Sequence, residues 1–413
     1  MALLPAGRMT GGRDDEVVMN ASGNGGIRLE ARHRPSGEND RFTGEGLSFG
    51  EYVLRTTAML RRAHARLGTA DLEAVVAGNA PFELLPDGDA CRGKGRPYRR
   101  GVLLTHGLSD SPYLMRHLAA FFRRSGFRVM APLLPGHGTQ PGDLLHVRWQ
   151  EWARAVRYGA ACLAAEVDEV YLAGYSAGAA LSLLHSAQDE RVRGLFLFSP
   201  ALEIDPRARW ANLHRLYSWL SPQAAWVSIM PDRDCYKYES LCKNAAAQMH
   251  ALIRALPKGG HDIPIFAVAS ADDATVHADA TLRLMRQARH PHSKLIWYAN
   301  QAPQDADPRV EWVGSALPEQ RILGSAHTAI VLPPEDAHYG AAGDYANCLH
   351  YYPHDMPRYA ECLALLRNER QGGAWQGEAI EQNLGSGLLR RLTYNPHYAA
   401  MEASMQEFIE ALP

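Results

Sequence analysis

A serine placed between two glycines constrains this chain more than any other feature of its sequence. Residues 170–181 read VYLAGYSAGAAL, with Ser176 two residues from both Gly174 and Gly178. A short apolar run, typical of strands buried on both faces, precedes the serine, and an Ala- and Leu-rich helix former follows it. The pattern predicts a sharp turn from strand into helix, in which small flanking residues let neighbouring backbone approach closely.

Such a turn, a nucleophile elbow, holds its serine at positive φ and pushes the hydroxyl into a cleft. The hydroxyl becomes a nucleophile only when a histidine takes its proton and an acid orients that histidine. In chains with this elbow the order is serine, acid, histidine. The late strand predicted in IPIFAVAS ends at Asp272 and Asp273, so either aspartate is a candidate for the acid.

Strands and helices alternate from Gly101 onward, which indicates a mostly parallel central sheet flanked by helices, the α/β fold class. We expect a mobile extension over residues 1–45, because this segment is rich in glycine and charged residues and lacks periodicity. A helical segment and the first strands should follow over 46–98. The core should comprise 99–200 and 262–413, with a cap or lid insertion over 201–261.

Five motifs follow one another along the chain: THGLSDSPY, PLLPGHG, GYSAG, ASADDATV and GSAHTAI. Together they resemble the α/β-hydrolase superfamily, in its monoacylglycerol lipase and carboxylesterase branch. The resemblance covers roughly residues 100–200 and 262–331. It implies an α/β-hydrolase fold with a lid, and a serine hydrolase that cleaves carboxylic esters. The implied substrates are acylglycerol-like or lysophospholipid-like esters with short to medium acyl chains, and no cofactor is implied.

The resemblance also implies an acid and a base for the serine. Asp273 fits the family pattern G-x-x-D-x-x-V, with Val276 three residues later and Ser270 in place of the glycine. His327 lies in the motif that leads into the last helix. A long polar segment separates this histidine from the strand SKLIWY, and an extra strand or hairpin fits there. Alternatives remain open for both roles: Asp272, Glu203 or Asp205 for the acid, and His292, His338 or His350 for the base.

An oxyanion hole requires two backbone N–H groups directed at the developing negative oxygen. One should come from Ala177, directly after the nucleophile at a helix N-terminus. The resemblance implies that Leu108, after the His-Gly turn, supplies the other. His106 in that turn is expected to be structural.

The insertion carries an apolar stripe at helical spacing, in which Trp210, Leu213 and Tyr217 are the expected substrate-binding residues. Two interpretations remain open. The stripe can belong to one buried core helix, or to a lid whose aromatic side chains line an acyl pocket.

The net charge of −2 over 413 residues gives no electrostatic reason to expect nucleic acid or an anionic membrane surface as partner. No run reaches the roughly 18 apolar residues of a membrane span, and charged residues interrupt the N-terminus before a secretory signal could form. A cytoplasmic location is the default expectation.

The six cysteines lack CxxC spacing, so we expect no metal site, and a zinc site with His350 or His354 is the less favoured alternative. Cys348 and Cys362 could form a disulfide if the protein is exported.

The motifs specify an acyl-enzyme and leave the leaving and accepting groups open. An amidase, peptidase or acyltransferase with the same three residues therefore remains an alternative to an esterase. A catalytically silent binding protein on the same fold is a third possibility. The sequence leaves the natural ester and the oligomeric state undetermined.

Overall fold

A computed structural model of the protein describes residues 28–88, 92–204, 221–303, 307–367 and 373–412. Its helices are α1 (Phe49–Leu67), α2 (Leu72–Asn79), α3 (Arg116–Arg124), α4 (Trp149–Glu166), α5 (Ala177–Ser186), α6 (Lys243–Arg254), α7 (Asp279–Gln287), α8 (Met356–Arg367), α9 (Glu381–Leu384) and α10 (Tyr398–Glu410). Its strands are β1 (Phe82–Leu84), β2 (Tyr98–Thr105), β3 (Phe127–Ala131), β4 (Val167–Tyr175), β5 (Val192–Phe198), β6 (Trp226–Ser228), β7 (Leu241–Cys242), β8 (Ile265–Ser270), β9 (Lys294–Ala299), β10 (Val310–Gly314), β11 (Trp375–Gly377) and β12 (Leu389–Arg391).

Eight of the described strands form the central sheet, in the order β1-β3-β2-β4-β5-β8-β9-β10. β1 is antiparallel to β3, and the other neighbours are parallel. The mostly parallel sheet predicted from the alternation of strands and helices is therefore confirmed. β10 lies in the long polar segment before His327, where the sequence allowed an extra strand, and it extends the sheet beside β9.

Alternate strand residues pack into two apolar clusters, one on each face of the sheet. In β2, Leu103 belongs to the first cluster, whereas Val102 and Leu104 belong to the second. α4, α5, α6 and α7 contribute to the first cluster, and α3 and α10 contribute to the second. Because helices cover both faces, the central strands are apolar throughout. Each large apolar side chain buried in this way contributes about 1.5–3 kcal/mol.

Residues 28–45 pack against the core, which differs from the mobile extension predicted for residues 1–45. Asn39 and Phe42 are buried. The backbone N–H and hydroxyl of Ser36 both donate to Asp143, at 2.5 and 2.7 Å. The segment is anchored by single side chains along an irregular path, and such anchoring leaves no periodicity in the sequence.

Two further segments flank the sheet. In the insertion, β6 and β7 form a small antiparallel pair, and α6 packs against α4 and α5. The predicted substrate-binding residues Trp210, Leu213 and Tyr217 lie outside the described residues. After β10, the parallel pair β11 and β12 lies beside a loop closed by a disulfide between Cys348 and Cys362. Within the described ranges, every helix is too short or too polar to cross a membrane.

Candidate active site

Ser176 occupies the single position between the end of β4 and the start of α5. Its φ of 53° lies in the left-handed region, as the elbow pattern predicts. A Cβ on Gly174 would lie closer than 3.0 Å to the backbone of Gly178, and a Cβ on Gly178 would meet the backbone of Thr105 equally closely. The two glycines are therefore needed because β4, α5 and the end of β2 approach one another at this turn.

His327 lies between the serine and an aspartate and hydrogen-bonds both. Its Nε2 is 3.0 Å from the Ser176 hydroxyl oxygen, and its Nδ1 is 2.6 Å from a carboxylate oxygen of Asp273. Because a carboxylate can only accept, Nδ1 carries the proton and Nε2 is left to accept from the serine. Ser176 and Asp273 follow the carboxyl ends of β4 and β8, and His327 begins a short 3-10 helix in the segment after β10. The three residues thus meet at the carboxyl edge of the sheet.

The loop after β8 fixes Asp273. One carboxylate oxygen accepts the backbone N–H groups of Thr275 and Val276 at 2.8 and 2.9 Å, and the other faces His327. Burial alone would raise the pKa of Asp273, but His327 and these two N–H groups outweigh burial and lower the pKa. Asp273 is thus ionised and oriented toward the histidine.

Asp272 is placed differently, although it is the adjacent residue. Its carboxylate lies 3.4 Å from the Ser315 hydroxyl and beside Gly324. Burial raises the pKa of Asp272. Of the two aspartates that end β8, the structure brings only Asp273 to the histidine.

The remaining alternatives lie elsewhere. Glu203 pairs with Arg283, and Asp205 lies outside the described residues. His292 is exposed and hydrogen-bonds the carbonyl of Ala411 at 2.8 Å. His350 lies in a short 3-10 helix inside the disulfide-closed loop.

His338 belongs to a separate buried cluster. Its Nδ1 lies 2.5 Å from Asp344, and its Nε2 lies 3.3 Å from Asp234. Atoms of the kind that bind metal ions lie within 4.8 Å of one another on three residues of this cluster, Asp234, Cys235 and His338. Their spacing in the sequence does not reveal this grouping. The hydroxyl of Tyr339 donates to the Asp234 carboxylate, so that carboxylate already has protein partners.

The two residues expected to supply the oxyanion donors are next to Ser176 in the chain and in a loop that passes close to it. Ala177 is the first residue of α5, so its N–H has no acceptor within the helix. Leu108 follows Gly107, on which an added Cβ would lie 3.2 Å from the Ser176 Cβ. The loop that carries Leu108 therefore runs directly past Ser176.

His106 is fully buried and hydrogen-bonds backbone groups on both ring nitrogens, the carbonyl of Gly107 and the N–H of Leu134. Burial lowers its pKa well below the ordinary value. His106 is therefore a neutral histidine that holds two backbone segments together, as expected of a residue with a structural role.

Two polar contacts at the site were not predicted from the sequence. The Tyr175 hydroxyl donates to the carbonyl of His327 at 3.0 Å. Lys237, from the insertion, pairs at 2.8 Å with Asp110 in the loop that carries Leu108. Lys237 also lines a cavity of about 1120 Å³, whose lining does not include Ser176, Asp273 or His327. A spacing rule cannot find either contact, because each partner is distant in sequence.

A family model described as serine aminopeptidase, S33, matches residues 96–302, about half of the chain. The chain belongs to this family of α/β-hydrolases. Membership confirms the resemblance stated from the motifs, and the α/β-hydrolase fold with it. Ser176 and Asp273 lie inside the region that the S33 family model matches, whereas His327 lies beyond it.

Individual relatives match shorter stretches of this S33 family chain. A thermostable monoacylglycerol lipase from Bacillus sp. (strain H-257) is 31% identical over 104 residues, which are 25% of this chain and 42% of that protein. A carboxylesterase from Bacillus subtilis (strain 168) is 31% identical over 85 residues, which are 20% of this chain and 35% of that protein. The chain thus spans less than half the length of these relatives.

Solved structures are similar over about half of the chain. One of them comes from a description of two metagenome-derived lipolytic enzymes, LipS and LipT. It is 23% identical with a TM-score of 0.44, and the match covers 53% of this chain and 87% of that chain. A monoacylglycerol lipase of Paleococcus ferrophilus is 18% identical with a TM-score of 0.41, and the match covers 53% of this chain and 88% of that chain.

Proposed function

We propose that this protein is a serine hydrolase that cleaves carboxylic esters through an acyl-enzyme on Ser176. His327 serves as the general base, and Asp273 as the acid that orients it. One observation carries the proposal: a single imidazole hydrogen-bonds both the Ser176 hydroxyl and the ionised Asp273 carboxylate. This is the arrangement that turns a serine hydroxyl into a nucleophile.

The reaction follows from these contacts. As the Ser176 oxygen attacks the ester carbonyl, its proton moves to Nε2 of His327, and Asp273 stabilises the resulting imidazolium. Collapse of the tetrahedral intermediate expels the alcohol, which takes the proton from Nε2. A water molecule then repeats the sequence on the acyl-enzyme: His327 removes its proton, the acid is released, and Ser176 regains its hydroxyl.

The negative oxygen of the tetrahedral intermediate requires donors fixed in advance. We assign this role to the backbone N–H groups of Ala177 and Leu108. The N-terminal end of α5 favours an anion at the first of them, because the helix dipole and its free N–H groups point there.

The proposed substrates are acylglycerol-like or lysophospholipid-like esters with short to medium acyl chains. The names of the two curated relatives, a monoacylglycerol lipase and a carboxylesterase, support an ester substrate. Trp210, Leu213 and Tyr217 are proposed to line the acyl pocket, on the basis of their helical spacing in the sequence.

The description of the matched family favours a second candidate, a peptidase or amidase. The same three residues can form an acyl-enzyme from an amide, and an alcohol acceptor would make the protein an acyltransferase. Product analysis with matched ester, amide and alcohol acceptors separates the three activities.

The triad assignment is tested by variants with neighbouring controls. Ser176→Ala should abolish ester turnover and fluorophosphonate labelling without changing the Tm, because it removes only the hydroxyl. Asp273→Asn and His327→Ala should each lower kcat by at least about a thousandfold. Asp272→Asn should matter far less, because its carboxylate faces Ser315 and not the histidine.

Two results would contradict the assignment. A large loss of kcat in Asp272→Asn, together with a wild-type kcat in Asp273→Asn, would assign the acid to Asp272. A folded protein that neither labels at Ser176 nor hydrolyses any p-nitrophenyl ester would favour the silent binding protein.

The disulfide favours the exported alternative over the default cytoplasmic location, because disulfides persist in oxidising compartments. Alkylation of free thiols in intact cells, followed by mass analysis of the peptides with Cys348 and Cys362, distinguishes the two locations.

A further inference from the structure

The backbone N–H of His327 needs a buried acceptor. His327 begins a short 3-10 helix, so its N–H has no acceptor one turn earlier, and the residue is buried. An unsatisfied N–H in such a place would cost about 1–3 kcal/mol. The acceptor comes from outside the region that the family model matches: a carboxylate oxygen of Glu378 lies 3.1 Å from this nitrogen.

Glu378 is an unusual acceptor, because its side chain is only 1% exposed and a buried carboxylate requires a partner. Arg391 provides one with two hydrogen bonds, of 2.5 and 2.9 Å, one to each carboxylate oxygen. The N–H of Ala379 donates to the same carboxylate at 2.9 Å. Burial would raise the pKa of Glu378, but Arg391 and these N–H groups outweigh it and lower the pKa. The carboxylate is therefore ionised and held in one orientation.

Arg391 also reaches the loop of the acid. Its guanidinium donates at 2.8 Å to the hydroxyl of Thr275, whose backbone N–H donates to Asp273. The contacts thus close a ring through five residues: Asp273, His327, Glu378, Arg391 and Thr275. The parallel pairing of β11 and β12 places Gly377 opposite Arg391, which brings Glu378 and Arg391 side by side.

We propose that Glu378, held by Arg391, is a positioning residue for His327. It fixes the backbone of the histidine so that one imidazole reaches both Ser176 and Asp273. The inference rests on the proposed function and extends it to the C-terminal segment, which neither the family motifs nor the family model covers. Glu378 touches no reacting atom and acts through His327.

The charged groups around His327 allow the positioning role of Glu378 to be tested through the pH profile of kcat/KM. Three acidic groups lie near the ring: Asp273, Asp110 and Glu378. The basic group beside them is Arg391. The ring of Tyr175 packs against the imidazole, with 5.3 Å between the ring centroids. Asp110 is itself paired with Lys237. Removing one member of the Glu378–Arg391 pair leaves the other charge unbalanced beside the base.

The test compares Glu378→Gln, Arg391→Met and the double variant, with kcat, KM and the pH profile of kcat/KM measured on a short p-nitrophenyl ester. Glu378→Gln should lower kcat about ten- to a hundredfold, as small misplacements of reacting groups do, with KM nearly unchanged. The acid limb should move to lower pH in Glu378→Gln and to higher pH in Arg391→Met, because the unbalanced charges have opposite signs. In the double variant the limb should return toward the wild-type position while kcat stays low.

Matched controls are Glu381→Gln, an exposed glutamate three residues later, and Arg390→Met, next to Arg391; both should retain wild-type kcat and pH profile. A purely structural brace would lower the Tm without moving the acid limb in opposite directions. If the single variants fail to fold, the double variant, which lacks both charges, tests the inference instead. A kcat equal to that of the wild type in this double variant would overturn the inference. Unchanged kcat and acid limb in folded single variants would also overturn it.

A readout independent of activity separates this inference from the proposed function. The Nδ1–H proton of His327, donated to Asp273, should give a low-field NMR resonance that is absent in His327→Ala. In Glu378→Gln this proton should exchange faster with water, while Glu381→Gln leaves it unchanged. The expected NMR change in a protein inert toward esters would support positioning and refute the esterase. An unchanged resonance in an active esterase would refute positioning alone.

Discussion

At the scale of single residues, His338 shows how burial and pairing set a protonation state. Its ring is buried between Asp234 and Asp344. Burial would lower the pKa of His338, but the two carboxylates outweigh it and raise the pKa to about 9. A histidine with a raised pKa in the folded state stabilises the fold fully below its unfolded value, about 6.5, and this contribution is lost as pH rises through about 9.

The free energy of unfolding, measured in urea, should therefore fall between about pH 7 and pH 9.5, by up to roughly 1.4 kcal/mol per unit of pKa difference. His338→Gln should lower stability at neutral pH, because it leaves two carboxylates without their cation, and should flatten this fall. His292→Gln, at an exposed site, serves as control and should keep the wild-type slope. Equal slopes in all three proteins would show that His338 does not titrate in this range.

At the scale of elements, β12 is supported by the disulfide-closed loop and by the residue directly before it. The N–H of Arg391 donates to the carbonyl of Asn347 at 2.9 Å, and the N–H of Leu389 donates to the Tyr351 hydroxyl at 2.9 Å. Cys348 and Cys362 are 14 residues apart, and closing a loop of about this size stabilises a fold by roughly 3 kcal/mol. Because β12 carries Arg391, loosening this loop should disturb the candidate active site.

Replacing both Cys348 and Cys362 with Ser should therefore lower the free energy of unfolding by roughly 3 kcal/mol and reduce kcat, with KM less affected. Urea unfolding and kinetics on a short ester measure both effects. Cys162→Ser removes a free, half-buried thiol and is the matched control. An unchanged kcat in the double variant would show that β12 stays in place without the disulfide.

At the scale of the whole molecule, the family region of residues 96–302, which includes the insertion, is combined with a C-terminal segment. Lys237 of the insertion contacts the loop of Leu108, and Glu378 of the C-terminal segment contacts His327. The insertion also carries the aromatic stripe proposed to bind acyl chains. Each methylene buried against it would contribute about 0.8 kcal/mol, so preference should grow with acyl length until the pocket is full.

Trp210→Ala and Tyr217→Ala should accordingly lower kcat/KM for medium-chain p-nitrophenyl esters while sparing acetate and butyrate esters, whose acyl chains are too short to reach the stripe. An ester series of rising chain length measures this. A uniform loss at every chain length together with a lower Tm would instead support the buried core helix.

How much could be predicted depended on how local the determining interactions are. The elbow follows from Gly174 and Gly178, because a Cβ at either position meets backbone whatever the rest of the chain does. The strands of the sheet follow from continuous apolar runs, which only burial on both faces explains. Ser176 as candidate nucleophile and the parallel sheet both rest on such short stretches.

Other features depend on contacts between distant parts of the chain. Asp272 and Asp273 are chemically alike and adjacent, and the residues alone left both open; only the path of the loop after β8 directs one to His327 and the other to Ser315. Residues 28–45 pack through single side chains that leave no periodic pattern. The sequence by itself thus determined the local turn, the strands and the types of residue at the site. The tertiary structure decided which aspartate faces His327 and that Glu378 and Arg391 lie beside it, because Glu378 is 51 residues from His327 in the chain and only packing brings them together.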